Sequence, residues 1–164
     1  MASWLPIPAW DGLHPLIVHF PIALLLVAPL FLLLGLVLPK KWEGFRLSAL
    51  LLMLLGTIAA WIAVSTGEAA GQMVTDLTPE ISKAIQEHAE WGGNTRLIFS
   101  GLTLLYALLL ALPLWFKSLS CRALTVLHLV FLVIFGASCL VLARTGHLGG
   151  RLVHAFGVHA MVDK

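Results

Sequence analysis

The chain has 164 residues, of which 60% are hydrophobic and 11% charged, with a formal charge of +2 and a mean hydropathy of +0.98. Soluble domains run at about 45–50% apolar and about 25% charged, so this is the composition of a membrane protein. Its ten Lys and Arg are scattered and form no basic face, which excludes nucleic-acid binding.

The first long stretch, GLHPLIVHFPIALLLVAPLFLLLGLVLPKK, lacks a basic leader, and its apolar run continues to Pro39-Lys40-Lys41. It reads as a retained anchor, not a cleaved signal. Apolar runs long enough to cross about 30 Å of hydrocarbon fall at 15–38, 47–64, 97–116 and 123–143. The expected fold is therefore all-α, an antiparallel four-helix bundle in one membrane domain, with short connections joining spans one to two and three to four.

The connection between spans two and three contains LTPEISKAIQEHAEWGG. Thr78 is placed as N-cap, Pro79 at the first helical position, Glu80 in the first turn, and Gly92-Gly93 as a stop or bend. This predicts an amphipathic outer helix with Ile81, Ala84, Ile85 and His88 on one face and Lys83, Glu87 and Glu90 on another. After span four comes RTGHLGGRLVHAFGVHA. Its glycines allow close backbone approach, and its Leu148, Leu152, Val153, Phe156 and Val158 are too apolar for a loose tail. The segment is expected to fold back over the bundle mouth as a lid, the alternative being a surface hairpin or interfacial helix. Cys121 and Cys139 stand at opposite ends of span four, roughly 27 Å apart at 1.5 Å per residue, beyond disulfide reach. Neither belongs to C-x-x-C-H, so covalent c-type haem is excluded.

Orientation follows from the Lys and Arg outside the spans. Lys40, Lys41, Arg46, Lys117 and Arg122 oppose Glu43 alone on one side, which is expected to be cytoplasmic. Both termini then lie on the periplasmic side of a bacterial inner membrane. Trp4, Trp10, Trp61 and Trp91 suit an interfacial belt there, and Trp42 and Trp115 suit the other.

This topology gathers His14, His19, His88, His147, His154 and His159 at the outer end and leaves His128 near the inner one. Each has a plain reading. His14 precedes Pro15 and leads the chain into a helix, His159 is solvated near a terminus, and His128 bonds a neighbouring helix. His19 lies more than a turn inside its span, where ionisable groups mark functional sites, and reads as a ligand. The five residues from His14 to His19 turn about 140°, so those two rings diverge and each needs a partner from elsewhere. His88 and His147 are the best placed, with His154 behind them. Imidazole is the commonest protein metal ligand, and a b-type haem suits the end of such a bundle. Arg144, Arg151 and Arg96 are then candidates to meet its propionates, or else ordinary interfacial anchors.

HPLIVHFPIALLL, STGEAAG, the histidine before span three and TGHLGGRLVHAFGV together resemble an uncharacterised bacterial family of four-span membrane proteins, domain of unknown function 2231. The resemblance implies an integral membrane protein without an established activity, associated with electron transfer through neighbouring or fused cytochrome modules. Its motif histidines map to His14, His19, His88 and His147, while the position of His154 is often tyrosine in that pattern.

Three functions follow as expectations. The first is a cytochrome-b-like electron carrier or respiratory-complex subunit holding one haem b, or two, by bis-histidine ligation. It would exchange electrons with c-type cytochromes, other redox proteins or quinone. The second is a cofactor-free structural or assembly subunit. The third is a zinc or copper site built from the same imidazoles. Hydrolase, kinase and nucleotide-binding motifs are missing, and the span centres carry too few ionisable groups for a transporter.

Overall fold

The computed structural model describes residues 9–75 and 77–158. Among them, four helical segments are long and apolar enough to cross a membrane, and no strand is present. A 3₁₀ turn, Trp10–Leu13, leads into α1 (His14–Ile17) and α2 (His19–Val37), which make the first span and are separated only at Val18. The other spans are α3 (Trp42–Gln72), α4 (Pro79–Trp115) and α5 (Cys121–His154). The cap residues act locally. Thr78 Oγ1 accepts the Ile81 N–H at 3.3 Å and Ser120 Oγ accepts the Ala123 N–H at 3.2 Å, each satisfying a backbone donor that the first helical turn leaves free.

The helices run past the hydropathic spans. α3, α4 and α5 contain 31, 37 and 34 residues, where about 20 cross the hydrocarbon. The amphipathic outer helix is consequently not a separate element. It is the first part of α4, continuous through Gly92-Gly93. The Gly-rich segment does reach the bundle mouth, but as the last turns of α5 and not as a folded-back hairpin. The chain turns only at Ala155–Phe156, where Gly157 has φ +64° and the Val158 N–H donates to the Leu152 carbonyl at 2.9 Å. A helical glycine costs only about 1 kcal/mol, and at Gly149 a side chain of α4 packs against the bare backbone.

α2 packs on α3, α3 on α4, α4 on α5, and α5 returns to α2, while diagonal helices make no such contact. The ring encloses Leu25, Leu32, Met53, Phe99, Tyr106 and Phe135, each almost wholly buried. Leu104, Val133 and Leu140 point outward, as expected of helices apolar on all sides in a lipid solvent. Gly56 lets α2 and α3 approach closely, since a Cβ there would lie 2.7 Å from Leu25 Cγ. Hydroxyls tie two seams: Thr57 to Thr103 at 2.8 Å between α3 and α4, and Thr95 to Thr145 at 2.8 Å between α4 and α5.

Two residues differ from expectation at the end carrying the short loops. His128 does not bond a neighbouring helix; its Nδ1 donates to the Leu124 carbonyl of its own helix at 2.8 Å. Trp42 is half-buried, with its ring centre 4.8 Å from that of His128. Trp115 is exposed and suits the belt. Cys121 and Cys139 are both free. Trp4 and His159 lie outside the described residues.

Candidate functional site

The site lies at the opposite, terminal end of the bundle, where α1 and the far ends of α3, α4 and α5 converge. His14 opens α1 with Pro15 behind it, and its ring crosses to α3. Nδ1 stands 2.8 Å from the Ala63 carbonyl and 3.3 Å from Thr66 Oγ1. A carbonyl only accepts, so Nδ1 carries the proton and the neutral ring keeps a lone pair on Nε2. Thr66 is itself fully buried and donates to the Ile62 and Ala63 carbonyls, each at 3.0 Å.

The ring rests where a side chain at Gly67 would otherwise project. A Cβ at that position would lie 2.8 Å from His14 Cε1 and 3.0 Å from Nδ1. His88, reaching in from α4, is seated in the same manner on α5, with its Cε1 3.0 Å from the place of a Cβ on Gly149. His88 Nδ1 is buried and makes no hydrogen bond among the described residues. The two imidazoles face one another across the bundle diagonal, with centres 6.3 Å apart and planes at 77°.

Hollows flank the pair on both sides, and His14, Gly67 and His88 line both. The inner one offers about 90 Å³ of water-accessible space between Val18, Pro21, Ile22, Ala60, Ala63 and Leu142. The outer one offers about 110 Å³ among Ala70, Gly71, Ile85, Leu152 and Val158. Both walls are mainly apolar. The Thr95–Thr145 hydroxyl pair lines the inner hollow, and its hydrogen bonds are already satisfied.

The other sequence candidates stand apart from the pair. His19 and His147 are exposed and line neither hollow, and His154 is exposed as well. Of the four candidate ligands His14, His19, His88 and His147, the structure brings His14 and His88 together. The break at Val18 and the 140° turn carry His19 to the outside when His14 points in. The arginines are engaged elsewhere. Arg144 pairs with Glu87 at 2.9 Å and stands over Trp91, Arg96 lies 4.6 Å over the Trp61 ring, and Arg151 lies 5.9 Å from the Phe156 ring centre. None of the three lines either hollow. Sequence reasoning missed Gly67 and Gly149 as seats for the rings, although both sit inside the quoted motifs STGEAAG and TGHLGG.

The fold and site define a four-span helical membrane protein with a half-buried histidine pair near one end. The chain belongs to the family of predicted membrane proteins DUF2231, whose model matches residues 11–161. Comparison with curated proteins and with solved structures finds no match.

Proposed function

We propose that the His14–His88 pair holds one b-type haem by bis-histidine ligation and that the protein carries electrons at the periplasmic face of a bacterial inner membrane. The spacing of the rings carries this reading. A ligating imidazole nitrogen lies about 2.0–2.1 Å from a metal ion and about 1.1 Å from its own ring centre. Two imidazoles that held one metal ion between them would have centres a little over 6 Å apart, and the observed value is 6.3 Å.

Donor number supports the same choice. Structural zinc takes four protein ligands and catalytic zinc three, whereas no three His, Cys, Asp or Glu converge among the described residues. A haem brings four nitrogens of its own and asks two of the protein. The chemistry of His14 suits it, because a Nδ1–H tautomer fixed by a carbonyl is the usual outer support of a metal-bound histidine, and the walls are mainly apolar, with Glu68, Thr95 and Thr145 as polar side chains of the inner hollow. Bound there, a haem supplies one-electron exchange, with its potential set by the axial ligands and burial.

The chain's own residues orient the rings, through Ala63, Thr66, Gly67 and Gly149, and shield the site from water with aliphatic side chains. Among the described residues one histidine pair converges, which favours one haem over two. A c-type cytochrome or quinone is the fitting class of electron partner for a site at this depth. The reading of Arg96, Arg144 and Arg151 as propionate anchors requires them to leave their present aromatic and carboxylate partners, and it is not adopted.

The test is the absorption spectrum of the protein purified from haem-replete membranes, oxidised and then reduced. His14→Ala and His88→Ala should each abolish the Soret band, while His19→Ala and His147→Ala should retain it. A fully folded wild-type protein without a Soret band refutes the proposal. That result would favour the cofactor-free alternative, in which the His14–Ala63 hydrogen bond serves only to fasten α1 to α3.

A further inference from the structure

The seam between α4 and α5 is held at the terminal end by the Thr95–Thr145 hydroxyl pair and the Arg144–Glu87 ion pair. Toward the loop end it opens into a groove of about 270 Å³, larger than either hollow beside the histidine pair. Leu105, Leu108 and Leu112 form one bank, and Leu127, Val130 and Ile134 the other. Leu109 and Phe131 are buried as the floor, while most of the bank residues are exposed. Every lining side chain is Leu, Val, Ile or Phe. Such a hollow stays dry and offers a polar ligand nothing to bond, so its occupant is hydrocarbon.

Chain connectivity fixes what lies over the groove. α4 ends at Trp115 and α5 begins at Cys121, so the loop joining them caps the groove's end. Leu112 and Leu127 lie about 5 and 9 Å below those helix ends at 1.5 Å per residue. Trp115 and Phe116 are exposed and suit the headgroup level. The groove, about 10 Å long from Leu105 to Leu112, then begins just inside a hydrocarbon leaflet about 15 Å deep. The loop carries charge of one sign: Lys117 and Arg122 are exposed, and no acidic residue lies between Trp115 and Leu127. Neither cation makes an ion pair among the described residues.

We infer that this groove seats an acyl chain of one anionic phospholipid, whose phosphate is met by Lys117 and Arg122. Basic clefts between spans recognise anionic headgroups in this way. Charge argues against a second copy of the chain, because a two-fold contact groove to groove would set Lys117 and Arg122 against their own counterparts. The inference is independent of the haem reading and of which way the chain faces.

The test is native mass spectrometry of the full chain released from nanodiscs that hold equal amounts of phosphatidylglycerol and phosphatidylcholine with the same acyl chains. Phosphatidylglycerol should be retained over phosphatidylcholine at least about tenfold, since each basic residue near the surface is worth about fivefold for an anionic lipid. Lys117→Gln combined with Arg122→Gln should erase that preference. Lys40→Gln combined with Lys41→Gln, the same loss of charge at the other loop, should keep it. Val130→Trp fills the groove from an exposed position and should release the bound lipid; if it does not fold, the charge variants decide alone. Equal retention of the two lipids overturns the proposal, as does a preference that survives loss of the Lys117 and Arg122 charges, or a lipid-free dimer that Val130→Trp dissociates.

Discussion

Replacing Gly67 by alanine separates the integrity of the site from that of the fold. The new methyl would stand 2.8 Å from His14 Cε1, 3.0 Å from Nδ1 and 3.4 Å from Nε2. Carbon contacts settle at about 3.5–4.0 Å, so the ring must withdraw by roughly 1 Å. Such a shift breaks a bond that is now 2.8 Å long to the Ala63 carbonyl, because N–H···O bonds extend only to about 3.2 Å. The lost bond costs about 0.5–1.5 kcal/mol, while alanine in place of a helical glycine gains about 0.8–1.0 kcal/mol. These terms nearly cancel. Gly67→Ala should therefore unfold in detergent within a few degrees of the wild type, and on the proposed haem reading its haem retention should fall about tenfold, the factor that a loss of about 1.4 kcal/mol at one ligand bond produces. Gly71→Ala, one turn further along α3, is the control, since its added methyl meets only Ile85 Cγ2 at 3.6 Å. If both variants retain haem equally, the role assigned to Gly67 as the seat of His14 is wrong.

Three further outcomes follow from other contacts. Gly149→Ala should disturb His88 less than Gly67→Ala disturbs His14, because its nearest contact is 3.0 Å; haem retention under matched purification compares them. Gly56→Ala drives a methyl to within 2.7 Å of Leu25 Cγ and 2.8 Å of its Cδ2, where both helices are closely packed. It should destabilise the bundle by about 1–3 kcal/mol, read as a lowered detergent-melting midpoint. Thr57→Val and Thr103→Val each break the 2.8 Å hydroxyl pair and leave the remaining hydroxyl only a long contact to a backbone carbonyl, Met53 at 3.5 Å or Phe99 at 3.4 Å, at about 1 kcal/mol apiece, whereas the double variant should recover part of the loss because no hydroxyl is left poorly paired; a double-mutant cycle by thermal unfolding measures the difference.

The spans were legible because hydrocarbon imposes length and apolarity on any helix that crosses it. The same uniformity hid their rotation. In α2, Leu25 and Leu26 are adjacent leucines, yet the first is fully buried and the second 44% exposed. No contrast of polar against apolar residues marks which one faces inward. Helix ends were misjudged for a related reason. Hydropathy ends where lipid ends, but α3, α4 and α5 continue beyond it, and of the glycines that signal a stop in water Gly92 and Gly149 are met by the Val64 and His88 side chains of neighbouring helices, while Gly93 and Gly150 stand in open space.

The histidine site shows which information a linear reading lacks. His14 and His19 share one motif, and the depth of His19 within the span favoured it as a ligand. Depth measures distance along the bundle axis, whereas a pocket is reached only by a side chain with the right angular phase. That phase is set by where α1 starts at His14 and by how α1 meets α3, 49 residues away in sequence at Ala63. The divergence of the two rings was deducible from five residues of helical turn, but the identity of the inward ring was not. What selects His14 is a vacancy on the opposing helix, the missing side chain of Gly67, and a second vacancy at Gly149 selects His88. In an apolar bundle the absence of a Cβ can thus specify a polar site as firmly as a ligating residue does, because a close-packed interior admits an imidazole only where something else has been left out.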